Sequence, residues 1–331
     1  MKFTLRFLAV LAAAAMAAPA LAQEDNAVST AELFSSMISG NESAGNATDF
    51  QNAAPRPDWG NPIFGEQIIT ITHGAVILQR QNDNDSLLPL NGMAGVELDA
   101  ILHLREINLE FAWLGVFSGT ATQYLPALAG GSLPTSPPIS FASSGLLSSQ
   151  YSSELDSFEF NARLPASENF TGILGLRYIN LYETVHLTAS TPTDNLGWKT
   201  ITSNNLFGAQ AGGDLVLGRF GRFEMNAVGK GGIYVNSVDQ EGMVVGFPAP
   251  GAVLLDDSTA RVSFLGELKL LGTYRFTDYL AVSAGYQALW FSNLALGQNQ
   301  FSTINLASGN GIHSTASPLF HGATIQGIVS W

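Results

Sequence analysis

Residues 261–276, RVSFLGELKLLGTYRF, carry the pattern that decides the fold. Every second residue from Val262 to Phe276 is apolar or glycine, whereas Glu267, Lys269 and Arg275 all belong to the other set. Successive side chains of a β-strand point to opposite faces, so one face of this strand is free of charge. Because a lysine or arginine facing the middle of a bilayer costs ~2–4 kcal/mol, the pattern favours a strand with one face in lipid.

The same alternation recurs in residues 222–236, where Glu224 and Lys230 lie opposite Phe223 and Val235, and again in residues 279–291. A soluble β-sandwich would also alternate, but its water-facing sides would carry many charges. Charged residues are only 12% of the chain and hydrophobic ones 46%, which favours the membrane barrel.

Turn residues divide the chain into about ten alternating stretches, whose connections are predicted to be short and long in turn. This order predicts an all-β fold, a closed antiparallel up-and-down transmembrane β-barrel of about ten strands, with eight or twelve also compatible and both termini periplasmic. The predicted strands are 67–80, 93–105, 108–118, 152–164, 170–189, 200–217, 222–236, 261–276, 279–291 and 319–331. The predicted long external links are 81–92, 119–151, 190–199, 237–260 and 292–318.

The chain's start predicts export. Residues 1–22 combine Lys2 and Arg6, an apolar run and the small-x-small sequence Ala20-Leu21-Ala22, as in a secretory signal peptide. Residues 23–62 are predicted to be a flexible periplasmic leader, and residues 63–331 the barrel. After residue 22 there is no apolar run of ~18 residues, which excludes a helical membrane protein.

Composition excludes several classes of function. The formal net charge of −13 argues against nucleic acid or anionic lipid as a partner. The chain has no cysteine, so it has no disulfide framework and no thiolate metal site.

Aromatic residues are predicted to form two girdles at the membrane interfaces. The chain ends on Trp331, which resembles the insertion signal of bacterial barrel proteins. The predicted girdle residues are Phe170, Phe223, Tyr274, Phe276 and Trp331 at the turn ends, and Phe117, Tyr234, Trp290 and Phe320 at the loop ends.

Several blocks resemble the beta barrel porin 7 family: residues 151–161 (YSSELDSFEFN), 175–178 (GLRY) with Glu183 after them, 205–212 (NLFGAQAG), 272–280 (GTYRFTDYL) and 285–293 (GYQALWFSN). Membership would imply an outer-membrane barrel of unsettled physiological role, and it does not imply a catalytic site. The family more often ends in Phe, and the leader has no counterpart in it.

No constellation of catalytic or metal-binding residues is recognised. The five histidines, His73, His103, His186, His313 and His321, lack partners at metal-binding or nucleophile-base spacing. Asp83-Asn84-Asp85 lacks the glycine and bidentate Glu of a calcium loop, so a solvated loop is the better interpretation. No catalytic residue, metal or cofactor is therefore predicted.

The polar faces of the predicted strands point into the barrel. A ten-stranded barrel is only slightly wider than the eight-stranded kind that side chains fill, so ion pairs are expected to narrow or plug it. We hypothesise that Glu159, Arg177, Glu267 and Lys269 belong to one network. The predicted lumen-lining residues are Glu159, Asn161, Arg177, Gln210, Asp214, Glu224, Lys230, Glu267, Lys269 and Arg275, with Glu97, Asp99 and Arg105 on the same inward face.

The sequence thus predicts a non-enzymatic, porin-like protein of the outer membrane, either a narrow or plugged passive pore for small solutes or a structural component. Its expected partners are outer-membrane lipid and the machineries for export and barrel insertion. The alternative is an adhesin or a barrel enzyme that acts through its external loops, and residues 125–148 are a candidate for partner contact or for a pore constriction.

Overall fold

The computed structural model describes residues 68–81, 92–104, 107–127, 132–133, 139–140, 144–192, 195–246, 252–302 and 311–331. The predicted signal peptide and leader, Arg105 and Asp83-Asn84-Asp85 lie outside these ranges. Within the segment 125–148, residues 128–131, 134–138 and 141–143 lie outside them too.

The described strands are β1 (Ile69–Gln81), β2 (Met93–His103), β3 (Asn108–Ala127), β4 (Ser132–Leu133), β5 (Ile139–Ser140), β6 (Gly145–Pro165), β7 (Phe170–Ser190), β8 (Asn195–Phe220), β9 (Phe223–Val245), β10 (Ala252–Arg275), β11 (Leu280–Ser292) and β12 (Leu319–Ser330). The ten long strands close into one antiparallel barrel, as predicted, with neighbours in the order β1, β2, β3, β6, β7, β8, β9, β10, β11, β12 and back to β1. The two short strands, β4 and β5, form a separate pair.

The ring closes where its first and last strands meet. Thr70 is paired with Ser330 and Gln81 with Leu319, so β1 and β12 run antiparallel over their whole length. The backbone N–H of Ile68 donates to the carbonyl of Trp331 at 2.8 Å. Both ends of the barrel segment therefore lie at the same end of the cylinder, which we call the turn end.

The outward faces form an apolar band. On β9 the outward residues are apolar or glycine from Phe223 to Val235, and the next ones are Ser237, Asp239 and Glu241. Twelve residue steps of ~3.3 Å in a strand tilted by ~40° rise roughly 30 Å, which is the thickness of a bilayer's hydrocarbon core. The band therefore makes this a transmembrane barrel.

The strict alternation of short and long connections is wrong at two places. Only four residues separate the end of β7 at Ser190 from the start of β8 at Asn195, and only six separate Val245 of β9 from Ala252 of β10, although both connections were predicted to be long links. The reason is that the polar sequence beyond the band continues to alternate: Val238 and Gln240 are buried while Asp239 and Glu241 are exposed. Strands β7 to β10 consequently extend well past the band.

The predicted girdles need one correction. Tyr234 and Phe320 are 1% and 0% exposed and point into the barrel, so they cannot lie at the lipid surface. The loop-end girdle is formed instead by outward aromatic residues that include Phe117, Tyr178 and Trp290.

Candidate functional site

All ten predicted lumen-lining residues lie on inward faces of the barrel strands, but they do not form one group. Most meet in a layer of ion pairs at the level of the membrane, whereas Glu224 and Arg275 lie at the turn-end mouth. There Glu224 accepts a hydrogen bond from Arg219 Nε at 2.7 Å, and the nearest Arg275 nitrogen is 4.0 Å away.

The centre of the layer is a set of four charges from four strands. Arg177 Nη1 lies 2.5 Å from Glu267 Oε2 and 3.2 Å from Glu159 Oε1. Lys230 Nζ lies 2.7 Å from Glu159 and 3.3 Å from Glu267. Two acids and two bases thus alternate in a closed cycle, in which each charge touches both opposite charges.

Lys269 extends the layer to the opposite wall. Its Nζ lies 3.8 Å from Glu267 on its own strand and 2.9 Å from Glu97 on β2. Glu97 also accepts hydrogen bonds from Gln326 at 2.5 Å and Thr324 at 3.1 Å, both on β12. The structure thus brings together the four residues of the hypothesised network and adds Lys230 and Glu97 to them.

A second set of charges lies beside the first, toward the turn end. Arg163 is 3.0 Å from Glu110 and 2.5 Å from Asp214. Asn161 links the two sets, because its Nδ2 donates to both Glu110 and Glu159 at 3.0 Å. Together the contacts join strands β2, β3, β6, β7, β8, β9, β10 and β12, so the ionic layer spans the lumen.

Above this layer, toward the loop end, the lumen contains a buried apolar cluster, which the sequence analysis did not predict. Inward side chains from opposite walls pack into one buried cluster. Its members include Val76, Leu78, Leu114, Val116, Leu155, Ile179, Leu181, Leu206, Leu265, Leu289, Phe291 and Phe320.

The connection between β11 and β12 was predicted to be an external loop, but part of it lies inside the barrel. The chain turns inward at Asn293, whose φ of 57° is a left-handed conformation that asparagine tolerates. Residues 294–296 are fully buried and continue into a 3-10 helix, Gly297–Ser302, that contacts β7 and β8 across the barrel. We call residues 293–300 the plug segment.

Polar side chains of the wall hold the plug segment through its backbone. Asn204 donates to the carbonyl of Ala295 at 2.7 Å and accepts from the Ala295 N–H at 2.8 Å. The Gly297 N–H donates to Glu183 Oε2 at 2.7 Å. The apolar Leu294 and Leu296 complete the anchoring, since both belong to the luminal apolar cluster.

Glu183 also belongs to a buried ion pair that crosses the barrel. Arg80 on β1 contacts both Glu183 on β7 and the hydroxyl of Tyr151 on β6. The guanidinium lies 4.7 Å from the centre of the Tyr151 ring.

Sequence reasoning missed Arg80, Tyr151 and the plug segment. Arg80 follows Val76 and Leu78 on the inward face of β1, so the alternation along the strand predicts that it faces the lumen. Nothing in the sequence indicates which residue it contacts there. The apolar run Leu294-Ala295-Leu296 just after β11 is a sequence signal of a buried segment.

The five histidines lie apart. His73 faces outward in the band, His103 Nε2 is 2.8 Å from Thr70 Oγ1, and His321 Nδ1 is 2.5 Å from the Tyr286 hydroxyl. His313 Nε2 is 3.1 Å from Thr315. His186 faces outward opposite Lys199, and desolvation together with that charge lowers its pKa. Within the described ranges no three His, Asp or Glu side chains converge as metal ligands.

None of the helices in the described part of the chain is long and apolar enough to cross a membrane.

No family model matches the chain, and no curated protein matches it. The resemblance to the beta barrel porin 7 family is therefore not confirmed. Similar solved structures include the outer membrane protease OmpT of Escherichia coli, with 10% identity, 80% of this chain and 96% of that chain covered, and a TM-score of 0.46. The toluene transporter TbuX of Ralstonia pickettii has 7% identity, coverage of 81% and 90%, and a TM-score of 0.21. The translocator domain of the autotransporter NalP of Neisseria meningitidis has 7% identity, with 82% of this chain and 91% of that chain covered, and a TM-score of 0.23. Likenesses of this size say nothing of activity.

Proposed function

We propose that the chain is an exported outer-membrane barrel with a closed lumen, which serves as a structural, surface-displayed component of the membrane. A closed barrel with a lipid-facing apolar band is one of only two architectures that satisfy every backbone polar group in a bilayer. The predicted signal peptide supplies the route of export, and the turn end would face the periplasm with both termini.

The observation that carries the proposal is the double closure of the lumen. The ionic layer joins eight strands at membrane level, and the apolar cluster with the plug segment fills the barrel above it. A hydrated ion would have to break buried ion pairs and cross an apolar layer, each at a cost of several kcal/mol. Passive permeation is therefore not the expected role.

A projecting wall supports the display role. Strands β7 to β10 continue beyond the apolar band, and their inner faces share a second buried apolar cluster around Trp198. Its other members include Leu187, Leu196, Val244 and Leu255, so the wall has a core of its own. The outer face of the wall carries charged residues such as Asp239 and Glu241, as expected for a surface in water.

A gated passage for small solutes is the second candidate. It is favoured by the polar composition of the plug segment, where Gln298 and Gln300 are buried but hydrophilic. Buried amide groups are costly to keep out of water, which lowers the cost of releasing this part of the segment into solvent. Release of the plug segment alone would still leave the ionic layer in place.

We further propose that the protein is not an enzyme and needs no cofactor. In support, the described histidines lie apart from one another, and within the described ranges no three His, Asp or Glu side chains converge. The proposed partners are outer-membrane lipid and the export and barrel-insertion machineries. Trp331, 59% exposed at the turn end, is the proposed insertion signal, and an adhesive role of the loops is the alternative.

Liposome swelling tests this function. Refolded full-length protein is reconstituted into liposomes and exposed to sugars of graded size, after confirmation that it fractionates with membranes and migrates heat-modifiably. The proposal expects no swelling above that of empty liposomes at any sugar size. Size-dependent swelling by the wild type would support a passive pore instead.

A further inference from the structure

His73 occupies an unusual place in the apolar band. It lies on the outward face of β1 between Ile71 and Ala75, in the middle of the band, and its side chain is exposed. The described part of the chain gives its imidazole no hydrogen-bond partner. Ionisable residues within a membrane are rare, costly and usually functional, so this position calls for a partner outside the monomer.

A shallow groove lies beside His73 on the same lipid-facing surface. It has a volume of about 370 Å³ and runs over Gly327 on β12, the register partner of His73. Its lining residues are His73, Gly74, Ala75, Val96, Val282, Ile325, Gln326 and Gly327.

The barrel itself does not require this groove. A Cβ atom at Gly327 would meet nothing closer than the His73 carbonyl oxygen, at 3.9 Å. At Gly322 on the same strand, by contrast, a Cβ would come within 1.9 Å of the Ile77 carbonyl oxygen. The glycine at 327 therefore leaves a depression in the surface that any apolar side chain could have filled.

Several outward residues around the groove are small, namely Ala75, Ala284, Ala288, Ala323 and Gly327 on β1, β11 and β12. On β6 and β7, at the opposite side of the barrel, the outward residues include the large Phe158, Phe160, Leu174 and Leu176. Small residues allow two membrane-embedded surfaces to approach closely.

We propose that the face formed by β1 and β12 is the interface of a homodimer within the membrane, with His73 at its centre. Two copies in one membrane share their orientation, so a two-fold axis along the membrane normal brings residues of equal depth together. Because His73 and Gly327 are neighbours in register, the imidazole of each copy fits over the glycine of the other. Each copy presents a protruding imidazole next to a depression, so the same patch on the two copies is self-complementary. An isologous interface requires such self-complementarity.

The chemistry of the imidazole selects a second copy of this chain over a lipid tail. A neutral imidazole carries one donor and one acceptor nitrogen. Two such rings facing each other across a two-fold axis satisfy one donor and one acceptor, whereas an acyl chain satisfies none. The inference rests on the membrane placement in the proposed function, not on whether the lumen is closed.

Cysteine cross-linking in native membranes tests the interface, since the wild-type chain contains no cysteine. Ala75→Cys places one thiol in the groove beside His73 and leaves the imidazole in place. The matched control is Leu174→Cys, on an outward face of β7 at the opposite side of the barrel, where Leu174 is 59% exposed. Oxidation is expected to give disulfide-linked dimers of Ala75→Cys and few or none of Leu174→Cys.

Three changes in the Ala75→Cys background refine the test. Gly327→Leu fills the depression, and His73→Leu removes the imidazole; each is expected to lower the dimer association constant about tenfold. Gly229→Leu on β9, where a Cβ meets nothing within 4 Å, is expected to leave cross-linking unchanged. Heat-modifiable migration verifies that each variant is folded.

Several outcomes would overturn the inference. Membrane-inserted, folded Ala75→Cys that remains monomeric excludes the dimer, as does equal cross-linking of Ala75→Cys and Leu174→Cys, which indicates random collision. Wild-type protein that is monomeric but retains a bound lipid at this face makes lipid the occupant. Failure of the chain to fractionate with membranes would refute the proposed function instead.

Discussion

The guanidinium of Arg177 on β7 lies 2.5 Å from the carboxylate of Glu267 on β10, three strands away around the ring. Both side chains are almost completely buried, at 2% and 1% exposure. A contact between non-adjacent strands can form only through the lumen, so this ion pair is a direct measure of barrel closure. Since Glu159 and Lys230 touch the same two groups, the closure does not depend on a single pair.

The first prediction concerns this buried charge balance. Arg177→Met leaves two buried carboxylates, Glu159 and Glu267, facing Lys230 as their closest remaining cation. Removal of one partner from a buried ion pair leaves an uncompensated charge, so we expect a loss of about 3–5 kcal/mol in the free energy of unfolding. Urea unfolding of the refolded protein in detergent, followed by gel mobility, measures it.

A matched control separates burial from mere loss of an arginine. Arg219→Ala breaks the pair with Glu224 at the turn-end mouth, where the arginine side chain is 45% exposed, and is expected to cost at most ~1 kcal/mol. The double variant Arg177→Met with Glu267→Gln should be less unstable than Arg177→Met alone, because it restores the charge balance. Equal effects of Arg177→Met and Arg219→Ala would contradict the buried network.

The second prediction concerns the plug segment. Asn204→Leu removes both hydrogen bonds to the Ala295 backbone and leaves that backbone buried without these partners, at a cost of about 1–3 kcal/mol. Hydrogen exchange should therefore accelerate at the amides of Ala295 and Gly297. The neighbouring Asn205 faces outward and bonds Tyr178, so Asn205→Leu is the control and should leave both amides protected. Unchanged exchange in Asn204→Leu would show that the segment is held by other contacts.

The third prediction locates the edge of the apolar band on a single strand. Leu268 lies outward near the middle of the band on β10, and Ser258 lies outward on the same strand beyond it. Leu268→Arg is expected to lower the stability of the folded barrel in liposomes by ~2–4 kcal/mol, and Ser258→Arg by at most ~1 kcal/mol. Comparable losses in the two variants would place the membrane elsewhere.

The architecture could be predicted because it depends on the alternation of inward and outward side chains along each strand, which is a local sequence pattern. The lipid face of residues 261–276 shows no charge, and each of the ten predicted strands lies within two residues of an observed one or inside it. Several strands were predicted to end too early on the side beyond the membrane. The reason is that hydrophobicity falls there while the alternation of inward and outward residues continues. Residues such as Val238 and Gln240 keep the pattern without the apolar signal.

The interior could be predicted only in part. Inward placement of Glu159, Arg177 and Glu267 follows from strand period, but their contacts depend on register and on barrel width, which no local pattern contains. The plug segment escaped prediction for the same reason, since the buried partners of Ala295 and Gly297 lie about ninety and more residues earlier in the chain. Side chains that meet across a lumen are not separated by any fixed number of residues, so no sequence pattern predicts their contacts.

Single-channel recording measures directly whether the lumen is closed. Refolded full-length wild-type protein, shown to be inserted by heat-modifiable migration, is recorded in planar bilayers. We predict no stable open state, because the ionic layer and the luminal apolar cluster both block the path. A large, stable conductance in the wild type would contradict it.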